Sequence, residues 1–151
     1  MREFIEKLKE NGKLVEVTDP VSKVFEAPKI AKQTDAPVLF HDIDGNRAIM
    51  NVLASRDELA AMFGVEKDMI IQKLSEINPD GEVVLVEDSP TKEVVETDID
   101  LTKLPIMTHF ERDGGPYITA GVVVTEYDGV MNAAIHRMLV VDKTRLAARL
   151  V

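Results

Sequence analysis

The stretch "GGPYITAGVVVTEYDGVMNAAIHRMLVV", residues 114–141, alternates like a β-hairpin, yet its second half sets Asn132, His136 and Arg137 among small and apolar residues. Asp128-Gly129 is a strong two-residue turn signal, because a type I′ turn needs positive φ at both central positions. That turn fixes a register in which Tyr127 faces Val130, Thr125 faces Asn132, Val123 faces Ala134 and Gly121 faces His136. A glycine opposite His136, with Ala133 and Ala134 beside it, predicts open volume next to hydrogen-bonding groups. A bound planar ligand requires that combination, since backbone can then approach it closely.

Each polar residue also has a plainer reading. Asn132, three positions beyond the turn glycine, could bond nearby backbone. His136 could be a hydrogen-bonded or partly exposed strand histidine, and Arg137 a solvated charge on a strand face. His41 and His109 lie far apart in the chain, and no two histidines have the spacing of metal ligands.

The elements that must carry these groups follow from pattern. "REFIEKLKEN" puts Phe4, Ile5 and Leu8 on one helical face and stops before Gly12, a C′ glycine. A short strand "KLVEV" comes next, then "EAPKIAKQT", a helix with Pro28 in its first turn. "PVLFHDI" and "RAIMNVL" flank "DGN" as a hairpin. "SRDELAAMFG" carries a capping box from Ser55 to Glu58 and ends at Gly64. "KDMIIQKLSEI" continues as a second helix closed by "NPDG", and "EVVLVED" and "KEVVET" read as strands separated by "SP". "DIDLTKLPIMTHFERDGGP" reads as a long loop. The composition shifts at Arg112, which predicts an α+β domain over residues 1–112 and the start of a more strictly β domain over residues 113–151.

Composition excludes several classes. The 151 residues include no Cys, so there are no disulfides or thiolate metal sites, and the default expectation is a soluble cytoplasmic protein. No run approaches the roughly 20 apolar residues that span a bilayer, and the charged N-terminus lacks the apolar core of a signal peptide. A net charge of −9 argues against nucleic acid, whose binding draws on basic side chains. All of that excess lies in residues 1–112, with 14 Lys+Arg against 23 Asp+Glu, whereas residues 113–151 hold 4 of each. The neutral stretch is the more hospitable place for an anion.

"LPIMTHFERDGGPYITAGVVVTEYDGVMNAAIHRMLVVDKTRLAARL" closely resembles the segment that opens the cofactor domain of UbiD-type decarboxylases, where Gly-Gly-Pro-Tyr-Ile-Thr leads through a hairpin to Asn-x-x-Ile-x-Arg. "MREFIEKLKENGKLVEVTDPV", "PVLFHDIDG" and "NVLASRDELAAMFGV" resemble that family's N-terminal domain in the same order. The resemblance implies a small α/β N-terminal domain followed by the opening hairpin of a split β-barrel of flavin reductase type. It implies reversible decarboxylation of an aromatic or α,β-unsaturated carboxylic acid with prenylated FMN, supplied by a flavin prenyltransferase, in a homo-oligomer.

Residue by residue, Asn132 matches an amide ligand to a divalent ion, manganese or magnesium, that also meets the cofactor phosphate. A hard cation prefers such oxygen donors. Arg137 matches the arginine beside the flavin and the substrate carboxylate, which its guanidinium can grip bidentately. Thr119, Ile135 and His136 match positions near the cofactor, with His136 not catalytic.

Family members are far longer, and their remaining metal ligands and proton-transferring glutamates match nothing in residues 1–151. Those residues alone are therefore expected to be inactive. Two other classes stay open: a split-barrel reductase binding ordinary FMN, and a non-catalytic α+β subunit that assembles with another chain through an exposed strand edge. One geometric tension accompanies the resemblance. On a regular strand Asn132 and Arg137 have opposite parity, so a bulge or strong twist is needed to bring both to one ligand.

Overall fold

The computed structural model describes residues 2–78, 84 and 86–149. Helix α1 (Arg2–Glu10) leads to β1 (Val15–Val17), α2 (Glu26–Ala31), β2 (Val38–Ile43), β3 (Asn46–Met50), α3 (Arg56–Phe63) and α4 (Ile70–Ser75), with a 3-10 turn at Lys67–Met69 before α4. Two more 3-10 turns, Pro90–Lys92 and Leu101–Lys103, precede β4 (Tyr117–Tyr127), β5 (Val130–Val140) and β6 (Leu146–Ala148). The fold is α+β, with two three-stranded sheets among the described residues, ordered β1-β2-β3 and β4-β5-β6. Among the described residues no helix is long and apolar enough to cross a membrane.

Local signals place the helices of the first unit. After α1, Gly12 N donates to Lys9 O and Lys13 N to Leu8 O, the paired bonds of a Schellman stop. Ser55 Oγ accepts from Glu58 N at 3.2 Å and Gly64 closes α3 at φ 68°, as the capping box predicts. β1 and β2 pair in parallel across α2, which lays the helix on the sheet; β2 and β3 form the antiparallel hairpin around Asp44-Gly45. Between them lies the core: Val21, Ala27, Ala31, Val38, Phe40, Ile43 and Met107.

Asn51 ties this unit together just past β3. From a left-handed backbone (φ 59°) its Nδ2 donates to Ala31 O at 2.7 Å and Thr34 O at 3.0 Å, satisfying carbonyls at the end of α2.

The strand expected in "KEVVET" is not formed. Lys92 closes a 3-10 turn and residues 93–97 are irregular, with Val94 and Val95 largely exposed, so their apolar side chains meet no sheet. Residues 82, 83 and 85 of "EVVLVED" lie outside the described residues, and 84 and 86–88 carry no strand. Of "NPDG", only Asn78 is described.

The second sheet is built on the hairpin read from Asp128-Gly129, both at positive φ. Its register is the expected one: Tyr127 opposite Val130, Thr125 opposite Asn132, Val123 opposite Ala134 and Gly121 opposite His136. Beyond Gly121 the pairing slips by one residue, to Ile118 opposite Met138. Thr119 and Ala120 together therefore oppose Arg137, which is a β-bulge. β6 returns along β5 with Met138 opposite Ala148, and Arg149 N donates to Arg137 O at 3.3 Å.

Candidate functional site

The loop before β4 is fastened at both ends. Thr108 N donates to Lys23 O and Phe25 N to Thr108 O, stitching the loop to the first unit; Tyr117 N donates to Met107 O and Val140 N to Pro116 O, stitching it to the hairpin. Lys23 Nζ adds a bond to Thr102 O at 2.5 Å. Inside the loop, Asp113 Oδ2 accepts from Phe110 N at 2.9 Å and His109 N at 3.2 Å, which closes a tight turn. Gly115 holds φ 142°, and a Cβ there would lie 3.3 Å from Leu139 Cδ1, so the Gly-Gly-Pro-Tyr run needs glycine at this point.

These bonds set His109, Phe110, Arg112 and Asp113 beside Tyr117, Thr119 and Arg137 around a cleft of about 470 Å³. The bulge assembles it. By adding one residue to β4, it leaves Thr119 and Arg137 on the same cleft across the strand pair. The side chains of Arg112 and Arg137 have no ion-pair partner among the described residues, so the cleft presents unengaged guanidinium groups. A second cleft, of about 590 Å³, adjoins the first through His109 and Phe110 and carries Lys29 and Lys32.

Thr119 and Arg137 are thus brought together; Asn132 is not brought to them. β5 runs unbroken from Val130 to Val140, and the irregularity lies in β4, so Asn132 keeps the parity of His136 while Arg137 shares that of Ile135. Five residues of strand separate Asn132 from Arg137, about 16 Å. A third cleft, of about 380 Å³, bears on this separation: Ala134, Ile135, His136, Arg137 and Arg149 line it, drawing on both faces of β5. A ligand lying along that edge of β5 meets residues of both parities.

The open volume beside His136 lies in that cleft of about 380 Å³ and is not supplied by Gly121. A Cβ on Gly121 would collide with the Met138 methyl and lie 3.2 Å from Ile118 Cγ2, so the glycine accommodates Met138 and no ligand space. The backbone reading of Asn132 also lacks support, because its amide makes no hydrogen bond among the described residues. That neutral, exposed amide oxygen suits a hard cation. The exposed Val122, Val124 and Ile135, at 68%, 60% and 71%, form an apolar strip on the Arg137 face, suited to a planar ring. Among the described residues no group of three or more His, Asp or Glu is placed to hold a metal ion.

Sequence reading passed over His109, Arg112 and Tyr117 as site residues. The loop signal around the two glycines marked their segment, but only the stitching of residues 107–117 shows which side chains turn inward.

Comparison with known proteins is consistent across the chain. Residues 5–77 match the model for the 3-octaprenyl-4-hydroxybenzoate carboxy-lyase N-terminal domain, and residues 83–151 match the Rift-related domain of the same enzyme family. An anhydromevalonate phosphate decarboxylase from Methanosarcina mazei is 65% identical over 150 residues, covering 99% of this chain and 36% of the relative. The chain therefore spans about a third of that relative's length. The UbiD-class enzyme HmfF from Pelotomaculum thermopropionicum, in complex with FMN, superimposes with a TM-score of 0.85 at 32% identity, covering 99% of this chain and 36% of that one. An evolved dimeric form of HmfF in complex with prFMN gives a TM-score of 0.85 at 32% identity, with 99% and 38% covered.

Proposed function

The chain belongs to the UbiD carboxy-lyase family, taking in its N-terminal and Rift-related parts, and from that premise we propose that the whole protein decarboxylates an unsaturated acid that also bears a phosphate. The 65% identical relative, an anhydromevalonate phosphate decarboxylase, supports a phosphorylated acid over an aromatic one. The observation that carries the reading is the unpaired Arg137 guanidinium, set beside Thr119 by the β4 bulge.

Decarboxylation breaks the bond between the carboxyl carbon and its neighbour and leaves the electron pair on that neighbour, which must then be protonated. Prenylated FMN, when bound, supplies the sink for those electrons. Arg137 grips the carboxylate through two parallel N–H···O bonds and fixes its orientation. Ile135 and its neighbours on the Arg137 face provide the apolar wall for the flavin, with Thr119 and His136 at its margin.

Asn132 would help hold a manganese or magnesium ion through its amide oxygen, a donor that a hard cation prefers. One amide cannot hold a divalent ion. The further ligands and the proton donor are assigned to parts of the protein outside residues 1–151, and those residues alone do not turn over. The same reading assigns residues 1–112 to an N-terminal domain and residues 113–151 to the start of the cofactor domain. It makes the protein a cytoplasmic homo-oligomer that takes its cofactor from a flavin prenyltransferase.

The test is carbon dioxide release by the full-length protein, loaded with prenylated FMN and manganese, from a phosphorylated unsaturated acid. Turnover that disappears when ordinary FMN replaces the prenylated form supports the proposal; turnover with ordinary FMN and a hydride donor, without carbon dioxide, overturns it in favour of a reductase.

A further inference from the structure

We propose that the cleft of about 590 Å³ between α2 and the turn at residues 109–111 binds a small apolar phosphate monoester, with its phosphate on Lys29 and Lys32 and its hydrocarbon between Phe25 and Phe110. The volume falls within the roughly 300–1,000 Å³ of small-molecule sites. Pro28, Ala31 and Met50 complete the apolar lining.

Charge selects the head group. Residues 1–112 carry 23 Asp+Glu against 14 Lys+Arg, so a lysine there has abundant acidic partners to choose from. Lys29 and Lys32 use none of them: neither side chain forms an ion pair among the described residues. Lys29 on α2 and Lys32 at its C-cap are three residues apart, which sets them on one helix face. Glu26, three residues before Lys29, is engaged elsewhere, its Oε2 accepting from Ser22 N at 2.7 Å. Neither Asp35 nor Glu111, the one carboxylate lining the cleft, pairs with either lysine. Two ammonium groups match a phosphate monoester, with its charge of about −1.5 to −2, better than a singly charged carboxylate. Lysine binds phosphate as a point charge and needs no fixed fork.

Backbone geometry marks the apolar side. Phe25 holds φ 67°, a left-handed conformation that costs a bulky residue on the order of 1–3 kcal/mol and persists only where its surroundings impose it. Two bonds impose it here: Phe25 N donates to Thr108 O and Lys29 N to Phe25 O, each at 3.0 Å. Burial offsets the strain only in part, since Phe25 stays 38% exposed, and Phe110 across the cleft is 65% exposed. A hydrocarbon chain between the two rings would cover both.

Binding does not depend on the decarboxylase reading; only the source of the phosphate does. It could be the far end of the substrate, reaching past His109 and Phe110 from the Arg137 cleft, or a second small molecule. Full-length wild type, K29Q/K32Q, K29R/K32R and R137A are titrated calorimetrically with n-pentyl phosphate, inorganic phosphate and pentanol. Both lysines are exposed, so replacing them leaves the core intact. Pentyl phosphate should bind wild type and R137A alike, about tenfold or more tighter than inorganic phosphate or pentanol, weaken by about tenfold or more in K29Q/K32Q, and recover in K29R/K32R. Equal affinity in wild type and K29Q/K32Q, loss in R137A, or equal affinity for pentyl phosphate and inorganic phosphate overturns the proposal. So does absence of binding to wild type, the result expected if the rest of the full-length chain fills the cleft. Where the site holds, the decarboxylation assay assigns its source: KM for the phosphorylated acid raised about tenfold in K29Q/K32Q gives the group to the substrate, and an unchanged KM gives it to a second molecule. Wild type that decarboxylates no acid fails the decarboxylase reading alone, and the titration still decides the site.

Discussion

The two sheets use the same alternating pattern to different ends. In the first, β2 buries Val38, Phe40 and Ile43 completely, because the parallel step from β1 carries α2 over one face. In the second, β4 and β5 are each 11 residues long, yet only Val140 is buried and the Val122, Val124, Ile135 strip faces solvent. Every residue matched to the cofactor or metal lies on the second sheet. A binding surface needs unengaged groups on a fixed backbone, and the long hydrogen-bonded hairpin supplies that backbone. The first unit supplies the packed core and, through Lys23–Thr108, the anchor for the loop that closes the cleft.

Truncating Phe40 to Ala should produce the largest effect, removing about 3–5 kcal/mol of stability, since the ring is fully enclosed. Ile135→Ala in the same chain should change the unfolding free energy from urea melts by no more than about 0.5 kcal/mol. Equal losses would erase the distinction between the sheets.

Arg137→Ala reverses the order. If the proposed decarboxylation holds, in the full-length protein it should lower kcat/KM about 10- to 100-fold while leaving the thermal midpoint near wild type, because the guanidinium has no ion-pair partner among the described residues. A midpoint drop as large as that of Phe40→Ala would make Arg137 structural. Asn51→Ala should cost about 1–3 kcal/mol, leaving Ala31 O and Thr34 O without their donor and forcing Ala into positive φ. A urea midpoint unchanged from wild type would show that the fastening at the end of α2 is dispensable.

What could be read in advance divides along the same line. Ser55, Gly64, Gly12 and Asp128-Gly129 act through their own few residues, so the helix ends and the hairpin register were legible. "KEVVET" has strand composition but no partner strand among the described residues, and strand formation is a pairing property that composition does not contain. Gly121 misled for a related reason: the side chain that fills its space, Met138, arrives through the register slip at Thr119-Ala120. The resemblance singled out Arg137 and Thr119, but the bulge that joins them and the arginine opposite, Arg149, depend on tertiary register.

The smallest expected effect is electrostatic and compares one carboxylate from each unit. Glu16 on β1 is held below its ordinary value of 4.5, first by the hydrogen bond with His41 Nε2 at 2.8 Å and then by Lys9 at 3.1 Å. Asp142, before β6, is held below 3.8, first by the Thr144 amide and then by the Arg145 side chain. In both cases the folded chain holds the proton less tightly than the unfolded one. Their stabilisation is therefore present above the unfolded values and is lost as pH falls through the lowered folded values. At pH 7 both Glu16→Gln and Asp142→Asn should have lower urea midpoints than wild type, and the gaps should narrow as pH falls through the lowered folded values. Because Glu16 starts to give up its contribution at a higher pH, the Glu16→Gln gap should begin to narrow first. Gaps that stay constant across the titration would mean that neither carboxylate is held by its charge, and simultaneous closure would remove the distinction between the two units.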